Sequence, residues 1–336
     1  MDSILTVIDI IERQLPHNLP NTVTCLATAM NKRNSFAAIN KLPTEVLVEV
    51  VRLAASDREL DHDWRTGLLI DPNLLKNLSR LSLVCQFWKN TIDADGSLWA
   101  FLAADTTSLR PLKMAIAKSR NVPVVITSGK NQMNEIDFAA TVTPFIHSCR
   151  VLCLAPRRMG YPEEGGVYQL LQQPSPILEG LYFRGTLGGF TGWGGRDSQK
   201  DPQKPRRQKT EIWVLENSPE RLKVLRLRWV DWCWARLTLS NLRDLKLSFM
   251  TISASELLEC ISGAPRLESF HVERLTEDWT EDADLPAAQT VPLPSLRQIQ
   301  IFQVSMAFAH YMLSNIVPLS LEHIVLVTTS FTNPAP

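Results

Sequence analysis

Cysteine and histidine are the residue types that could carry nucleophilic or metal chemistry in this chain, and there are six of each. No two cysteines form a Cys-x-x-Cys pair, and no histidine stands at zinc-finger spacing from a cysteine. His62 stands between Asp61 and Asp63, and such side chains can bind a metal ion, but no further ligand occurs at helical spacing from them. The sequence therefore predicts buried, reduced thiols, with no metal and no cofactor. The cysteines are Cys25, Cys85, Cys149, Cys153, Cys233 and Cys260.

Signatures of catalysis are also missing from the sequence. It contains no Gly-x-Ser-x-Gly elbow, no His-Glu-x-x-His pair and no kinase signature. The glycines between Gly185 and Gly195 do not make a phosphate-binding loop, because they lack its Gly-Lys-Ser/Thr ending and its strand-to-helix setting. We therefore expect no catalytic residues and no enzymatic activity of the chain's own.

Two stretches of opposite charge interrupt the chain. Residues 185–210 are rich in glycine and net basic, whereas residues 273–284 carry six carboxylates around Trp279. Neither composition can form a core, so both are predicted to be solvated loops. The segment Pro205–Lys209 also fits a weak nuclear-import or anion-contact patch. The acidic stretch lacks the central glycine and final glutamate of an EF-hand calcium loop.

The overall composition narrows the classes of partner. The 35 lysines and arginines balance the 35 aspartates and glutamates, so no net field favours nucleic acid or a membrane surface. A chain of 336 residues exceeds the size of a single core, about 250–300 residues, and two units are expected. No secretory signal or membrane span can be drawn, which predicts a cytoplasmic location, a nuclear one or both.

A repeated motif predicts how most of the chain folds. The pattern apolar-x-x-apolar-x-apolar occurs seven times, beginning at Cys149, Leu178, Leu222, Leu242, Leu267, Leu296 and Leu321. The copies start 29, 44, 20, 25, 29 and 25 residues apart, and all but the second interval match the spacing of leucine-rich repeats, about 20–29 residues. Such units stack their apolar side chains on one another, so we expect one shared parallel sheet with short helical returns. Seven strands in a β-sandwich are the alternative.

Three further expectations follow from this motif. The residue inside each apolar-x-apolar step should lie on one common face of the sheet, because side chains alternate along a strand. A helical return is expected at residues 255–262, with Ser253 as its cap. The chain ends ten residues after Leu326, so the last strand should expose apolar residues. The residues of the common face are Cys153, Tyr182, Arg226, Lys246, His271, Gln300 and Val325.

Residues 41–102 carry a helical pattern instead. Pro43 suits a first helical turn, and apolar residues recur at helical spacing over residues 46–54. Asp71-Pro72 signals a second helix, and Ser97 can cap a short third element that includes Leu102. Three short helices so rich in Leu, Val and Trp cannot bury all of these side chains among themselves. An exposed apolar surface for a partner is therefore expected.

The order of these residues resembles the F-box, the small helical module that docks on the Skp adaptor of cullin-based ubiquitin ligases. The resemblance rests on Leu42-Pro43, on the run Leu81-Ser82-Leu83-Val84-Cys85-x-x-Trp88 and on Ser97-Leu98-Trp99, and it covers roughly one-fifth of the chain. The connection over residues 56–71 is longer and more polar than in the compact module. By analogy, the adaptor-facing residues would be Leu42, Pro43, Val46, Leu47, Leu83, Val84, Trp88, Leu98 and Trp99.

Together with the repeats, the chain resembles F-box proteins with leucine-rich repeats, which form large families in mushroom-forming fungi. The resemblance implies an α/β fold, α+β overall, in which a three-helix module precedes an irregular leucine-rich-repeat solenoid with a curved parallel sheet. It also implies a substrate-recognition subunit of a Skp–cullin–F-box ubiquitin ligase, with an unknown protein substrate. A non-catalytic repeat scaffold or recognition protein that acts outside a ubiquitin ligase is the alternative.

The expected organisation has four parts. Residues 1–38 form an N-terminal helix, over residues 4–15, and an arm, and residues 39–104 form the F-box-like domain. Residues 105–143 supply a connecting helix and strand, and residues 144–336 form the repeat array, with the basic insertion at 185–210.

The outer face of the array is expected to hold the protein substrate. Clustered arginines favour carboxylate or phosphate groups, because their planar forks pair bidentately with both. An acidic or phosphorylated substrate segment is one interpretation, and arginines that simply solvate the sheet are the other. The predicted substrate-binding residues are Tyr182, Arg184, Arg226, Arg228, Lys246, His271 and Gln300.

Overall fold

The structure is a computed structural model of the chain. It describes residues 19–55, 62–63, 68–69, 74–104, 109–128, 135–155, 166, 170–185, 220–230, 239–275 and 290–328. Several expected features lie outside the described residues: the N-terminal helix at residues 4–15, the basic insertion after Gly185 and the acidic stretch after Leu275.

Helices dominate the first hundred residues. Pro43 directly precedes the second helix, and its carbonyl accepts a hydrogen bond from the Leu47 backbone N–H at 3.0 Å. A 3-10 helix over Gly96–Trp99 is capped by Asp95, whose carboxylate accepts from the Ser97 backbone N–H at 2.8 Å. The predicted cap, Ser97, is instead the second residue of this helix. Within the described ranges, no helix is long and apolar enough to cross a membrane.

The helices of the described residues, in chain order, are α1 Leu19–Ser35, α2 Thr44–Ala55, α3 Leu74–Leu81, α4 Gln86–Ala94, α5 Arg110–Ser119, α6 Glu135–Val142, α7 Ala254–Ser262 and α8 Met306–Asn315. Further 3-10 helices cover Ala38–Lys41 and Thr143–Ser148. The strands are β1 His62–Asp63, β2 Leu68–Leu69, β3 Phe101–Ala104, β4 Val124–Ser128, β5 Cys149–Leu154, β6 Gly180–Arg184, β7 Val224–Arg228, β8 Asp244–Ser248, β9 Ser269–Glu273, β10 Val291–Leu293, β11 Gln298–Val304, β12 Ile316–Pro318 and β13 His323–Thr328.

Nine of these strands form one parallel sheet, and their order in the sheet follows their order in the chain. Each of the seven repeated motifs supplies one strand, which confirms the predicted shared parallel sheet and excludes the sandwich. The sheet starts earlier than the motifs do, because β3 and β4 extend it at its N-terminal side. Leu102 lies in β3 rather than in a third helical element, so that detail of the sequence prediction is wrong. The coarse prediction of a mixed α/β chain with a large parallel sheet holds.

The register of the sheet aligns equivalent residues of successive motifs. Cys153 pairs with Tyr182, Tyr182 with Arg226 and Arg226 with Lys246. The same row continues from Lys246 through His271, Gln300 and Val325. The predicted common face is therefore confirmed across all seven strands.

One continuous apolar core lies beneath the sheet and extends from Leu47 to Ile316. The inward residues of the central strands are almost completely buried, and α7 and α8 supply part of the opposite wall. Helix α7 begins with the predicted cap: the Ser253 hydroxyl accepts from the Glu256 backbone N–H at 3.2 Å, and the Glu256 carboxylate accepts from the Ser253 backbone N–H at 3.2 Å. This reciprocal pair satisfies two donors that would otherwise lack partners.

The last strand of the sheet is exposed, as the sequence predicts. Ile324 and Leu326 of β13 are 53% and 42% exposed, whereas their neighbours in register, Ile299 and Ile301, are each 1% exposed.

Candidate binding surfaces

Two buried cysteines, Cys149 and Cys260, offer little nucleophilic chemistry. Burial raises the pKa of Cys149 and of Cys260 to about 12, so both stay protonated at neutral pH, and a thiol is a far weaker nucleophile than a thiolate. No cluster of three His, Cys, Asp or Glu side chains that could hold a metal ion occurs among the described residues.

Four of the nine predicted adaptor-facing residues lie inside the structure: Leu47, Trp88, Leu98 and Trp99, with exposed fractions of 0%, 7%, 3% and 1%. The Trp88 indole N–H donates to the Asn40 side-chain oxygen at 2.8 Å, and the Trp99 indole N–H donates to the Ile92 carbonyl at 2.7 Å. Both tryptophans thus satisfy their polar atom internally. The structure places these four residues beneath the helical surface and not on it.

The other predicted residues reach that surface. Leu42 is half-buried, Pro43 is exposed, and Val46, Leu83 and Val84 are 45%, 83% and 56% exposed. Leu83 and Val84 occupy the turn between α3 and α4.

Two exposed apolar residues of helices α2 and α4 were not among the sequence-predicted set. Leu53, seven residues after Val46 on the same side of α2, is 71% exposed, and Phe87 in the first turn of α4 is 39% exposed. Helical spacing from Val46 could have identified Leu53. We call Val46, Leu53, Leu83, Val84 and Phe87 the apolar helical surface.

The second surface is the outer face of the sheet, formed by the row that runs from Tyr182 to Gln300. Arg226 pairs with the Asp244 carboxylate at 2.6 Å, and its guanidinium lies 5.4 Å from the centre of the Tyr182 ring. His271 Nδ1 lies 2.6 Å from the Gln300 side-chain oxygen. The register thus brings together the predicted substrate-binding residues of this row, with the basic members on β7 and β8.

An unusual backbone conformation follows four of the strands. Trp229, Phe249 and Arg274, each directly after a strand, and Gln303, at the register shift near the end of β11, have φ between 50° and 57°, a region that non-glycine residues rarely adopt. The backbone N–H groups of the first three donate to a carbonyl of the next strand at 2.8 to 3.0 Å, which holds this conformation in place. None of these four positions is a glycine, so they could not be predicted from residue type. Their consequence is a row of side chains at one edge of the outer face.

Arginines stack on two of these side chains. Arg184 and Arg228 lie 4.9 Å and 4.2 Å from the centre of the Trp229 ring, and Arg228 and Arg274 lie 4.6 Å and 5.1 Å from the centre of the Phe249 ring. The two rings are 5.1 Å apart. We call these five residues the arginine–aromatic stack. Such contacts are each worth about 0.5–2 kcal/mol.

A small pit of about 30 Å³ opens between the stack and the middle row. Lys246, half-buried, borders it and makes no hydrogen bond or ion pair within the described part of the chain. Burial lowers the pKa of Lys246; Glu273 opposes this shift, Arg226 and Arg228 add to it, and Asp244 opposes it least. The polar lining of the pit consists of Tyr182, Arg184, Arg226, Arg228, Lys246 and Ser248.

Comparison of the chain with protein-family models, with curated proteins and with solved structures finds no match. The interpretation of both surfaces therefore rests on their residues and geometry.

Proposed function

We propose that this chain is the substrate-recognition subunit of a Skp–cullin–F-box ubiquitin ligase. In this proposal an F-box-like module binds the Skp adaptor, and through it a cullin, while a leucine-rich-repeat solenoid binds a protein substrate. The role needs no catalytic residue, cofactor or metal, and would place the chain in the cytoplasm, the nucleus or both.

The observation that carries the proposal is the exposure of Leu83 and Val84. They belong to the run that resembles the F-box, and they are 83% and 56% exposed although apolar. Apolar residues clustered on a surface usually mark a site of protein interaction. Val46 on α2 and Phe87 on α4 are further exposed apolar residues of the same helical region, and Leu47 and Trp88 beside them in sequence are buried.

The sheet supports the second half of the proposal. Its strands follow one another in chain order, as in a solenoid whose units contact only their neighbours. The register turns one side chain per strand into a continuous polar row, wide enough for an extended segment of a protein. A subunit of this kind acts by bringing two proteins together. Because it binds the adaptor and the substrate at the same time, it raises the effective concentration of the substrate near the ligase.

The test is the affinity of the purified chain for a fungal Skp-type adaptor, measured by calorimetry. Leu83→Asp should weaken binding about tenfold or more, because it places an unpaired charge in an apolar interface. Leu319→Asp is the matched control: Leu319 is 77% exposed, lies between β12 and β13, and gains the same charge. Thermal unfolding of both variants should match that of the wild type.

Two results would overturn the proposal: no binding of the adaptor by the wild-type chain, or equal binding by wild type and Leu83→Asp. Addition of a cullin then distinguishes a subunit of a ubiquitin ligase from the remaining alternative, a scaffold. An adaptor complex that recruits no cullin would indicate a scaffold that acts outside a ubiquitin ligase.

A further inference from the structure

A groove of about 460 Å³ lies between helices α5 and α6. Ile116 of α5, 5% exposed, and Phe145 of the following 3-10 helix, 38% exposed, give it an apolar lining. Ala117 of α5 and Ala140 of α6 are exposed, and their short side chains leave room for another segment to approach. Most of the lining residues are exposed, whereas a site for a small molecule encloses most of its ligand. The groove is therefore better suited to a helix that covers it from outside.

Lys113 and Asp137 line the groove from different helices. Lys113 belongs to α5 and Asp137 to α6, and both are exposed. Neither side chain makes a hydrogen bond or an ion pair with another residue of the described part of the chain. The groove thus presents a cation on its α5 side and an anion on its α6 side. A complementary helix needs an acceptor on one flank and a donor on the other.

The N-terminal segment has an apolar stripe that needs a surface to pack on. The sequence predicts a helix over residues 4–15, and the described part of the chain starts shortly after it, at Leu19. At about 3.6 residues per turn, four apolar residues of this segment fall on one side of the helix. An isolated helix of this length is marginal in water, so it depends on packing against another surface. The stripe consists of Ile4, Ile8, Ile11 and Leu15.

The polar residues beside the stripe match the charges of the groove. On the same helical projection, Glu12 flanks the stripe on one side and Gln14 flanks it on the other. With the stripe over Ile116, the Glu12 carboxylate can pair with Lys113, and the Gln14 amide can donate to Asp137. Only one direction of the helix along the groove satisfies both contacts.

We propose that the groove between α5 and α6 is the docking site of the chain's own N-terminal helix, residues 4–15. Helix α5 connects β3 to β4, and α6 lies between β4 and β5, so docking would attach the N-terminal arm to the first helical returns of the sheet. The proposal goes beyond the proposed function and is independent of adaptor binding.

The test follows a labelled peptide of residues 2–16 by fluorescence anisotropy with the full chain. In the wild type the groove already holds the chain's own segment at high effective concentration, so the peptide should bind weakly. Ile8→Asp combined with Ile11→Asp in the chain places charges in the apolar stripe and should release that segment. The wild-type peptide should then bind this released chain about tenfold more tightly, or better.

Charge reversal tests the predicted orientation. Lys113→Glu in the released chain should weaken binding of the peptide about fivefold, because an exposed ion pair becomes a repulsion. A peptide that carries Glu12→Lys should restore the affinity. Lys89→Glu is the matched control: Lys89 is an exposed residue of α4 outside the groove, and reversing its charge should have little effect.

The apolar helical surface is the other place where the stripe could pack. Leu83→Asp in the released chain should leave the affinity for the peptide unchanged, and a loss of binding there would overturn the proposal. It is equally overturned if the released chain does not bind the peptide, or if the wild-type chain binds it as tightly. The same holds if Lys89→Glu weakens binding as much as Lys113→Glu does, or if the Glu12→Lys peptide restores nothing.

Discussion

His271 is held in its neutral form by its surroundings on the outer face. Burial is the largest effect and lowers the pKa of His271. The hydrogen bond with Gln300 opposes this shift, Lys246 adds to it, and the carboxylates of Glu273 and Asp244 oppose it more weakly. The Gln300 oxygen can only accept, so the proton of the neutral ring resides on Nδ1. A second proton would go to Nε2, which is buried and has no hydrogen-bond partner among the described residues.

This environment predicts how stability depends on pH. Because the folded-state pKa of His271 lies below the unfolded value of about 6.5, the unfolded state binds more protons as pH falls. The stabilising contribution is complete above about pH 6.5 and is lost progressively below it. In urea denaturation, the loss of stability between about pH 7.5 and pH 5.5 should be smaller for His271→Gln than for wild type. Equal losses would show that His271 titrates alike in the folded and unfolded chains.

Single residues also show what could not be predicted from the sequence. The helical spacing of the apolar residues correctly places Leu47 and Trp88 on the apolar side of their helices. It does not reveal that this side is already covered by other parts of the same chain, which is why both were expected at a partner interface. Trp229 and Phe249 illustrate a second limit. Their left-handed conformation is imposed by hydrogen bonds to a neighbouring strand distant in sequence, and neither residue type signals it.

At the level of elements, Gly96 fixes how closely the 3-10 helix at Gly96–Trp99 approaches α5. A Cβ atom at Gly96 would lie 2.5 Å from the backbone oxygen of Ser119, the last residue of α5. Gly96→Ala must therefore push the two elements apart, and it should lower the free energy of unfolding by about 1–3 kcal/mol.

Gly263 provides the matched control for this prediction. A Cβ atom there would lie 3.6 Å from its nearest neighbour, the Cys260 carbonyl oxygen, and the φ of Gly263 is −78°. Gly263→Ala should be neutral or slightly stabilising, since alanine restricts the unfolded chain. Denaturation of both variants under the same conditions gives the comparison. A Gly96→Ala variant as stable as Gly263→Ala would refute the close approach.

Elements with a strong local pattern were the ones that could be predicted. The alternation of each repeated motif identified β5 to β9, β11 and β13 and even their register, because a one-residue slip would expose the apolar side chains. Strand β3 was missed, since Phe101–Ala104 is too short for its pattern to be distinguished from a helical turn. Its strand conformation depends on pairing with β4, more than twenty residues later.

The contribution of an inward side chain to the stability of the whole molecule should vary along the sheet. Because the strands stack in chain order, an inward residue of a central strand is protected by the strands on both sides, whereas β13 has a neighbour on one side only among the described strands. Ile301→Ala removes a side chain that is 1% exposed and should lower the free energy of unfolding by about 2–5 kcal/mol.

Leu326, the register partner of Ile301, is 42% exposed, and Leu326→Ala should cost about 1 kcal/mol or less, because truncating it leaves no closed cavity. The paired substitutions, compared by urea denaturation, measure the difference between the interior and the end of the sheet. Equal costs would mean that β13 is covered in solution by another surface. A concentration-dependent unfolding midpoint would then identify that surface as a second copy of the chain.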